Sequence, residues 1–291
     1  MNIILEVVLP TFAIIAIGFL VGKLKKKLDI DTLIFLIMYL SAPALAFSSI
    51  YENEIILNDF IAIAVASTAT ILGIWGIAVI TFRLFKIKHT ALYLPMMFGN
   101  NGYMGYPVIM FAYGLAGFSR AVLYVIVMSI VLYSLGIYIA HRKGGFKEIF
   151  RLPLIYTVAA AIIVKSLSIT LPTVIIKPLT TVGLITVPAA LIVLGYQLSS
   201  IKLSSTGYGV LGTAYRIGLG FLISLLVVTL LGITGITKNV IIVEGAMPAA
   251  IMSLIITHRY NKKDADLVAS VVMVSTLVSI ITIPLILGFL G

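Results

Sequence analysis

Two short stretches set polar chemistry inside long apolar runs. Residues 99–108, GNNGYMGYPV, place two adjacent carboxamides (Asn100, Asn101), then Gly102, Gly105 and Pro107, in the middle of ALYLPMMFGNNGYMGYPVIMFAYGLAG. Further on, NVIIVEGAMPAAIMSLIIT carries Glu244, Gly245, Ala246, Met247 and Pro248 in a similar setting. Proline removes a backbone donor and clashes with the preceding turn, and glycine relaxes the chain around it. Each stretch therefore predicts a broken helix. Backbone groups freed in hydrocarbon are costly unless protein, water or ligand satisfies them, so such a break persists where it lines a cavity. With Pro107 and Pro248 at the first positions of the second half-helices, the missing N–H costs nothing. The half-helix N-termini then aim free N–H groups and partial positive charge into the cavity. That chemistry suits an anion.

The side chains add to it. Asn101 can bind a carboxylate directly, and Asn100 can equally satisfy orphan backbone groups, since a carboxamide both donates and accepts. Both can instead merely cap half-helices. Tyr103 and Tyr106 line the cavity or sit against neighbouring helices, with packing the simpler reading. Glu244 immediately precedes the second break. An ionisable group inside a membrane is a functional hypothesis by default: Glu244 can take up a proton, coordinate Na⁺ with freed carbonyls, pair with Arg216, or hydrogen-bond to break amides. Arg216 can alternatively attract a substrate anion. Lys165 and Lys177 lie near span ends, where their stems snorkel, and His258 beside Arg259 reads as an anchor. Zinc-hydrolase (HExxH) and Walker A patterns do not occur, so no metal and no cofactor is expected. The chain has no cysteine, which excludes disulfides and thiolate metal sites.

The elements that must position these groups are membrane helices. Of 291 residues, 61% are hydrophobic and only 10% charged, with a mean hydropathy of +1.20; soluble domains carry about a quarter charged residues. Apolar runs of roughly twenty residues recur, the length that crosses ~30 Å of hydrocarbon. They do not alternate, which excludes a β-barrel. Ten spans fit, at roughly 3–22, 31–50, 58–82, 90–114, 119–140, 152–170, 173–198, 207–232, 238–257 and 265–290. The loops after spans 1, 3, 5 and 9 are basic (KLKKK, RLFKIKH, HRKGGFKEIFR, HRYNKK), whereas YENEIILND after span 2 is acidic. The positive-inside bias then puts both termini outside a cytoplasmic membrane. It also accounts for the net charge of +10 without nucleic acid.

Prolines suggest an internal repeat. Pro10 and Pro153, Pro43 and Pro188, and Pro107 and Pro248 recur about 141–145 residues apart. Two halves, 1–145 and 146–291, would each hold five spans, and an odd number forces the second half to insert upside down. The two interrupted spans then fall at corresponding positions, a pointer to a transporter's substrate site.

The motif Asn100-Asn101-Gly102-Tyr103-Met104-Gly105-Tyr106-Pro107 resembles the Asn-x-Gly-x-x-Gly-x-Pro pattern of the auxin efflux carrier family. That family includes plant auxin exporters and bacterial carriers assigned to malonate and related organic anions. EGAMPAAIMS in span 9, VPAALIVLGYQLS in span 7 and STLVSIITIPLI near the end reinforce the likeness. The resemblance implies an all-α fold like that of bile-acid sodium symporters and sodium/proton antiporters, a 5+5 inverted repeat with broken, crossing helices 4 and 9. Spans 1, 2, 6 and 7 would form a scaffold, and spans 3–5 and 8–10 a transport unit moving in elevator fashion. Asn101, Pro107 and Pro248 would be the leading substrate-site elements, with Gly102, Gly105, Gly245, Ala246 and Met247 supplying backbone. Ser41, Ala42 and Pro43 would face the site from span 2, and Gly195, Tyr196 and Gln197 from span 7. A homodimer is expected from the resemblance alone.

The expectation is a secondary transporter of small organic anions, not an enzyme. The alternative is Na⁺- or H⁺-coupled symport with Glu244 as the coupling site; an intramembrane enzyme or a channel is remote. Only Arg216 is a clear mid-membrane cation, which favours monoanions or aromatic carboxylates.

Overall fold

The structure, a computed structural model, describes residues 4–24, 29–53, 57–141, 150–201 and 203–291. Lys25, Lys26 and Lys27, most of the loop after span 5, and Lys202 lie outside the described residues, and with them much of the charge pattern used for orientation.

Among the described residues the architecture is all-helical, with no strand. Seven stretches are long and apolar enough to cross a membrane: Glu6–Lys23, Ile30–Glu52, Asn58–Leu84, Asn101–Ala140, Thr173–Ser200, Thr206–Leu230 and Lys262–Leu290. The chain is thus a multi-pass membrane protein. At 1.5 Å per residue the 40 residues of Asn101–Ala140 would reach about 60 Å, twice the hydrocarbon thickness. Gly114 resolves this. Its φ of 61° and ψ of −156° interrupt the helix, so two helices meet there.

In chain order the helices are α1 (Leu9–Lys23), α2 (Ile30–Leu36), α3 (Ala42–Glu52), α4 (Leu57–Leu84), α5 (Tyr93–Met97), α6 (Tyr106–Val131), α7 (Ile137–His141), α8 (Pro153–Ser166), α9 (Thr173–Gly183), α10 (Thr186–Ser200), α11 (Thr206–Thr213), α12 (Gly220–Leu230), α13 (Gly235–Gly245), α14 (Ile251–Tyr260) and α15 (Ala265–Leu290). Several are joined by wider π-helical turns, at Ile37–Ser41, Asn101–Gly105, Leu132–Gly136 and Ala214–Leu219, and another, Ile4–Val8, precedes α1. Three of these turns end two residues before a proline: Pro10, Pro43 and Pro107. The proline lacks the N–H that would continue the ladder, and its ring needs room in the preceding turn. Widening that turn supplies the room, so the helix runs on.

The helices pack in two sets. One contains α1 against α10, and α3 against α8 and α9. The α1–α10 contact is backbone to backbone, because a Cβ at Gly18 would overlap the Ile192 carbonyl and one at Gly195 the Ile15 carbonyl. The other set joins α4, α6, α12 and α13, with α11 and α14 on α15. Side-chain hydrogen bonds follow the same division. Thr186 donates to Ser41 at 3.0 Å, and Lys165 Nζ caps α3 through the Ile50 and Tyr51 carbonyls, at 3.2 and 3.3 Å, and the Asn53 carbonyl. In the second set Arg120 pairs with Asp59 at 2.7 Å, Thr237 donates to Asp59 at 2.5 Å, Tyr215 donates to Thr81 at 2.5 Å, and His89 meets Asp264 at 2.8 Å.

A candidate binding site at two crossed helix breaks

Both interrupted segments are broken, and the breaks meet. α5 ends at Met97; Phe98 is extended (φ −106°, ψ 123°), and helical turns resume at Asn101. α13 ends at Gly245, and α14 begins at Ile251 after an extended Ala250 (φ −67°, ψ 132°). The two loops run antiparallel, with Gly99 opposite Ala249. Asn100 N–H donates to the Pro248 carbonyl at 2.7 Å, and Ala250 N–H to the Phe98 carbonyl at 2.9 Å. Ala249 N–H donates to Ser275 Oγ on α15 at 3.0 Å. Each break thus satisfies backbone groups of the other, as a low-dielectric interior demands.

This geometry refines the expected place of the prolines. Pro107 falls in the first turn of α6, as expected, but the break itself lies upstream at residues 98–100, because the π turn Asn101–Gly105 runs into α6 ahead of the proline. Pro248 lies within its break, ahead of α14, where its carbonyl rather than its missing N–H matters.

Arg216 stands behind the crossing. It projects from the π turn Ala214–Leu219 and is 1% exposed. Nε donates to the Met247 carbonyl at 2.9 Å, Nη1 to the Met97 carbonyl at 2.8 Å, and Nη2 to the Gly245 carbonyl. These are orphan carbonyls at the C-terminal ends of the first half-helices, where the dipole is negative and a cation is welcome. An ion pair between Arg216 and Glu244 is therefore not made; the ion pairs among the described residues include His89–Asp264 and Arg120–Asp59.

Glu244 has no exposure at all. Its Oε2 accepts from Asn101 Nδ2 at 2.5 Å, and the same amide reaches the Glu244 main-chain carbonyl at 2.7 Å. Oε1 is buried without a hydrogen-bond partner among the described residues. Gly105 makes this approach possible, since a Cβ there would overlap the carboxylate. Asn101 is thus turned toward Glu244.

A cavity of about 160 Å³ opens on the other side. The first break lines it with Asn100, and the half-helix that follows with Asn101, Gly102, Tyr103 and Tyr106. Ile37, Met38, Ala42 and Thr186 face them from the first helix set, Met128 and Leu132 close it from α6 and its following turn, and Ala250 and Met252 come from the second break. Among the described residues, no Asp, Glu, Lys or Arg lines it. The Asn100 amide nitrogen and the Tyr106 hydroxyl are buried there without partners among the described residues; Asn100 is 3% exposed. Three of the π turns supply lining residues, consistent with the concentration of such turns at functional sites.

Other residues singled out in the sequence lie elsewhere. Gly245, Ala246, Met247 and Pro248 are buried in the crossing, outside the cavity lining. Ser41 is held by Thr186 next to the cavity, and Pro43 is buried in α3. Gln197 lines a separate crevice of about 460 Å³, together with His258 and Asp266. Tyr103 and Tyr106, for which packing was the simpler reading, line the cavity. A signal was present: Asn100, Tyr103 and Tyr106 are spaced three apart, on one helical face. Thr186 and Met128 carried no such signal.

The chain matches a family model described as membrane transport protein over residues 3–149 and 143–287. It is 27% identical over 300 residues to an uncharacterized transporter of Methanocaldococcus jannaschii, covering 97% of each chain. An uncharacterized transporter of Methanothermobacter thermautotrophicus is 28% identical over 301 residues, covering 96% of each.

Proposed function

The chain belongs to the membrane transport protein family, the auxin efflux carrier-like group, and we propose that it is a secondary transporter of small organic anions, chiefly carboxylates. One observation carries this reading. Among the described residues, Asn100 Nδ2 and the Tyr106 hydroxyl are buried donors without partners, lining a cavity to which no carboxylate contributes, at the N-terminal end of a half-helix. A carboxylate would satisfy both donors and meet the positive end of the helix dipole. The remaining walls are tyrosine, methionine and aliphatic side chains, which suit the apolar body of a monoanion.

The mechanism we propose is alternating access with ten crossings in two inverted halves. The apolar helix Pro153–Ser166 and the two broken segments supplement the seven long stretches. The antiparallel meeting of the breaks suits two halves of opposite orientation. The set containing α1, α3, α8, α9 and α10 acts as scaffold, and the set from α4 to α6 with α11 to α15 carries the anion past it as an elevator. The division of helix contacts and hydrogen bonds into two sets supports this, as does a cavity lined from both.

A second reading has its own observation. Glu244 Oε1 is buried without a partner among the described residues, which fits a site that takes up H⁺ or Na⁺ during transport. Transport current from purified protein in liposomes separates the two. A panel of mono- and dicarboxylates at equal pH without sodium should give a saturable current for at least one anion. Currents that appear only with Na⁺ or a pH step would move coupling through Glu244 to first place. No signal under any of these conditions would sink both.

A further inference from the structure

Arg216 heads the fully buried side chains by volume, and it touches neither the cavity nor Glu244's carboxylate within ion-pair distance. Its three hydrogen bonds join chain segments that are remote in sequence: Met97 on one broken helix, Gly245 and Met247 on the other. We propose that Arg216 is a positioning residue for substrate binding. It holds the C-terminal ends of both first half-helices at one point, and so fixes the register in which the second half-helices present Asn100, Tyr106 and Ala250 to the cavity.

The surroundings are built for this. Arg216, Gly220 and Ser224 are four residues apart and share a face of one helix. Gly220 lets the end of α13 come close, because a Cβ there would overlap the Gly245 carbonyl and sit 3.2 Å from Arg216 Nη2. Ser224 Oγ lies 3.1 Å from Thr70 Oγ1, tying the same face to α4. On the far side, a Cβ at Gly99 would be 3.4 Å from Arg216 Cζ, so the guanidinium lies directly beneath the Gly99–Ala249 pairing. A guanidinium presents donors in a planar fork and reaches carbonyls in divergent directions; an ammonium is a point charge and spans less. Charge also divides the crossing. With a cation on its two C-terminal ends, the opposite ends face the cavity with no basic side chain among the lining residues.

The binding part of this role rests on the anion-carrier reading; the architectural part does not. The test uses Arg216→Met, Arg216→Lys and Gly220→Ala, the last of which keeps the guanidinium but pushes the Gly245 carbonyl away from it. Backbone hydrogen exchange is followed in detergent over residues 98–100 and 246–250, with α10 as control. Affinities for benzoate and malonate are measured on the same samples. We expect exchange of the Asn100 and Ala250 amides to rise together, at least tenfold, in Arg216→Met and Gly220→Ala, with α10 unchanged. Whichever anion binds the parent should bind both variants at least tenfold more weakly, the combined variant no more weakly than the worse single one, and Arg216→Lys in between. Acceleration at one break only, at neither, or equally in α10 would overturn the proposal, as would losses that multiply in the combined variant. If the parent binds neither anion, the carrier reading falls for these probes while exchange still decides what Arg216 does.

Discussion

The two helix breaks pair with each other, yet they face different work. The first is short, residues 98–100, and it lines the cavity with Asn100 while the helix that resumes after it adds Asn101, Gly102, Tyr103 and Tyr106. The second is longer, residues 246–250, and entirely buried. Its carbonyls go to Arg216 and to the first break, its amides to Ser275 and Phe98, and it gives the cavity only Ala250, with Met252 just beyond. One break presents donors and the other holds them in place. Two paired breaks of similar backbone thus leave room for the segments to differ in chemistry, because orphan groups satisfied inside the protein are unavailable to a ligand.

Substitutions can break or sharpen that contrast. The largest effect is expected where the two breaks touch. Gly105→Val would drive a side chain into the Glu244 carboxylate and separate it from Asn101. Overpacking and the lost hydrogen bond together should cost roughly 3 kcal/mol, seen as a large fall in the melting temperature of the detergent-solubilised protein. Next comes Asn100→Ala. Its amide nitrogen has no partner among the described residues, so the melting temperature should hold, while anion affinity falls at least tenfold, about 1.4 kcal/mol. Equal losses of stability and affinity would mean the amide is structural.

Pro107→Ala should do less. Because the break lies upstream and the preceding π turn already accommodates the proline, transport should persist within about threefold, or ~0.7 kcal/mol. Abolished transport would return Pro107 to the role the sequence suggests for it. The smallest effect is expected for Met247→Leu, in the buried second break. A volume-conserving swap there costs less than about 1.5 kcal/mol, and the Arg216 contact is to the Met247 carbonyl, which leucine keeps. Anion affinity should not change in equilibrium titration.

Much of this was legible in the sequence, for identifiable reasons. Apolar run length marks membrane helices, and a Glu-Gly or Asn-Gly cluster inside such a run marks a break. Both rules concern local chemistry, and both interrupted segments appear where those clusters are. The exact location of the first break was not legible. Proline reads as a stop signal, but Pro10, Pro43 and Pro107 each follow a widened turn that lets the helix continue. For the same reason Pro107 and Pro248, matched as a repeat pair, occupy different places: one inside a resumed helix, the other inside a break. Arg216 and Glu244 were both recognised as mid-membrane charges, and pairing them is the natural one-dimensional guess. The alternative partners, three carbonyls and an amide from distant segments, exist only once the breaks are crossed. Gln197 illustrates the converse. Its motif suggests the site, but the helix turns it into a different crevice.

The most direct measurement is the carboxylate affinity of the parent beside Asn100→Ala and Met247→Leu, by isothermal titration in detergent over the panel that gives transport current. The account expects saturable binding in the parent, at least tenfold weaker binding in Asn100→Ala, and parent-like binding in Met247→Leu. Equal affinity in Asn100→Ala and the parent, or a loss confined to Met247→Leu, would contradict the assignment of the first break as the one that meets the anion.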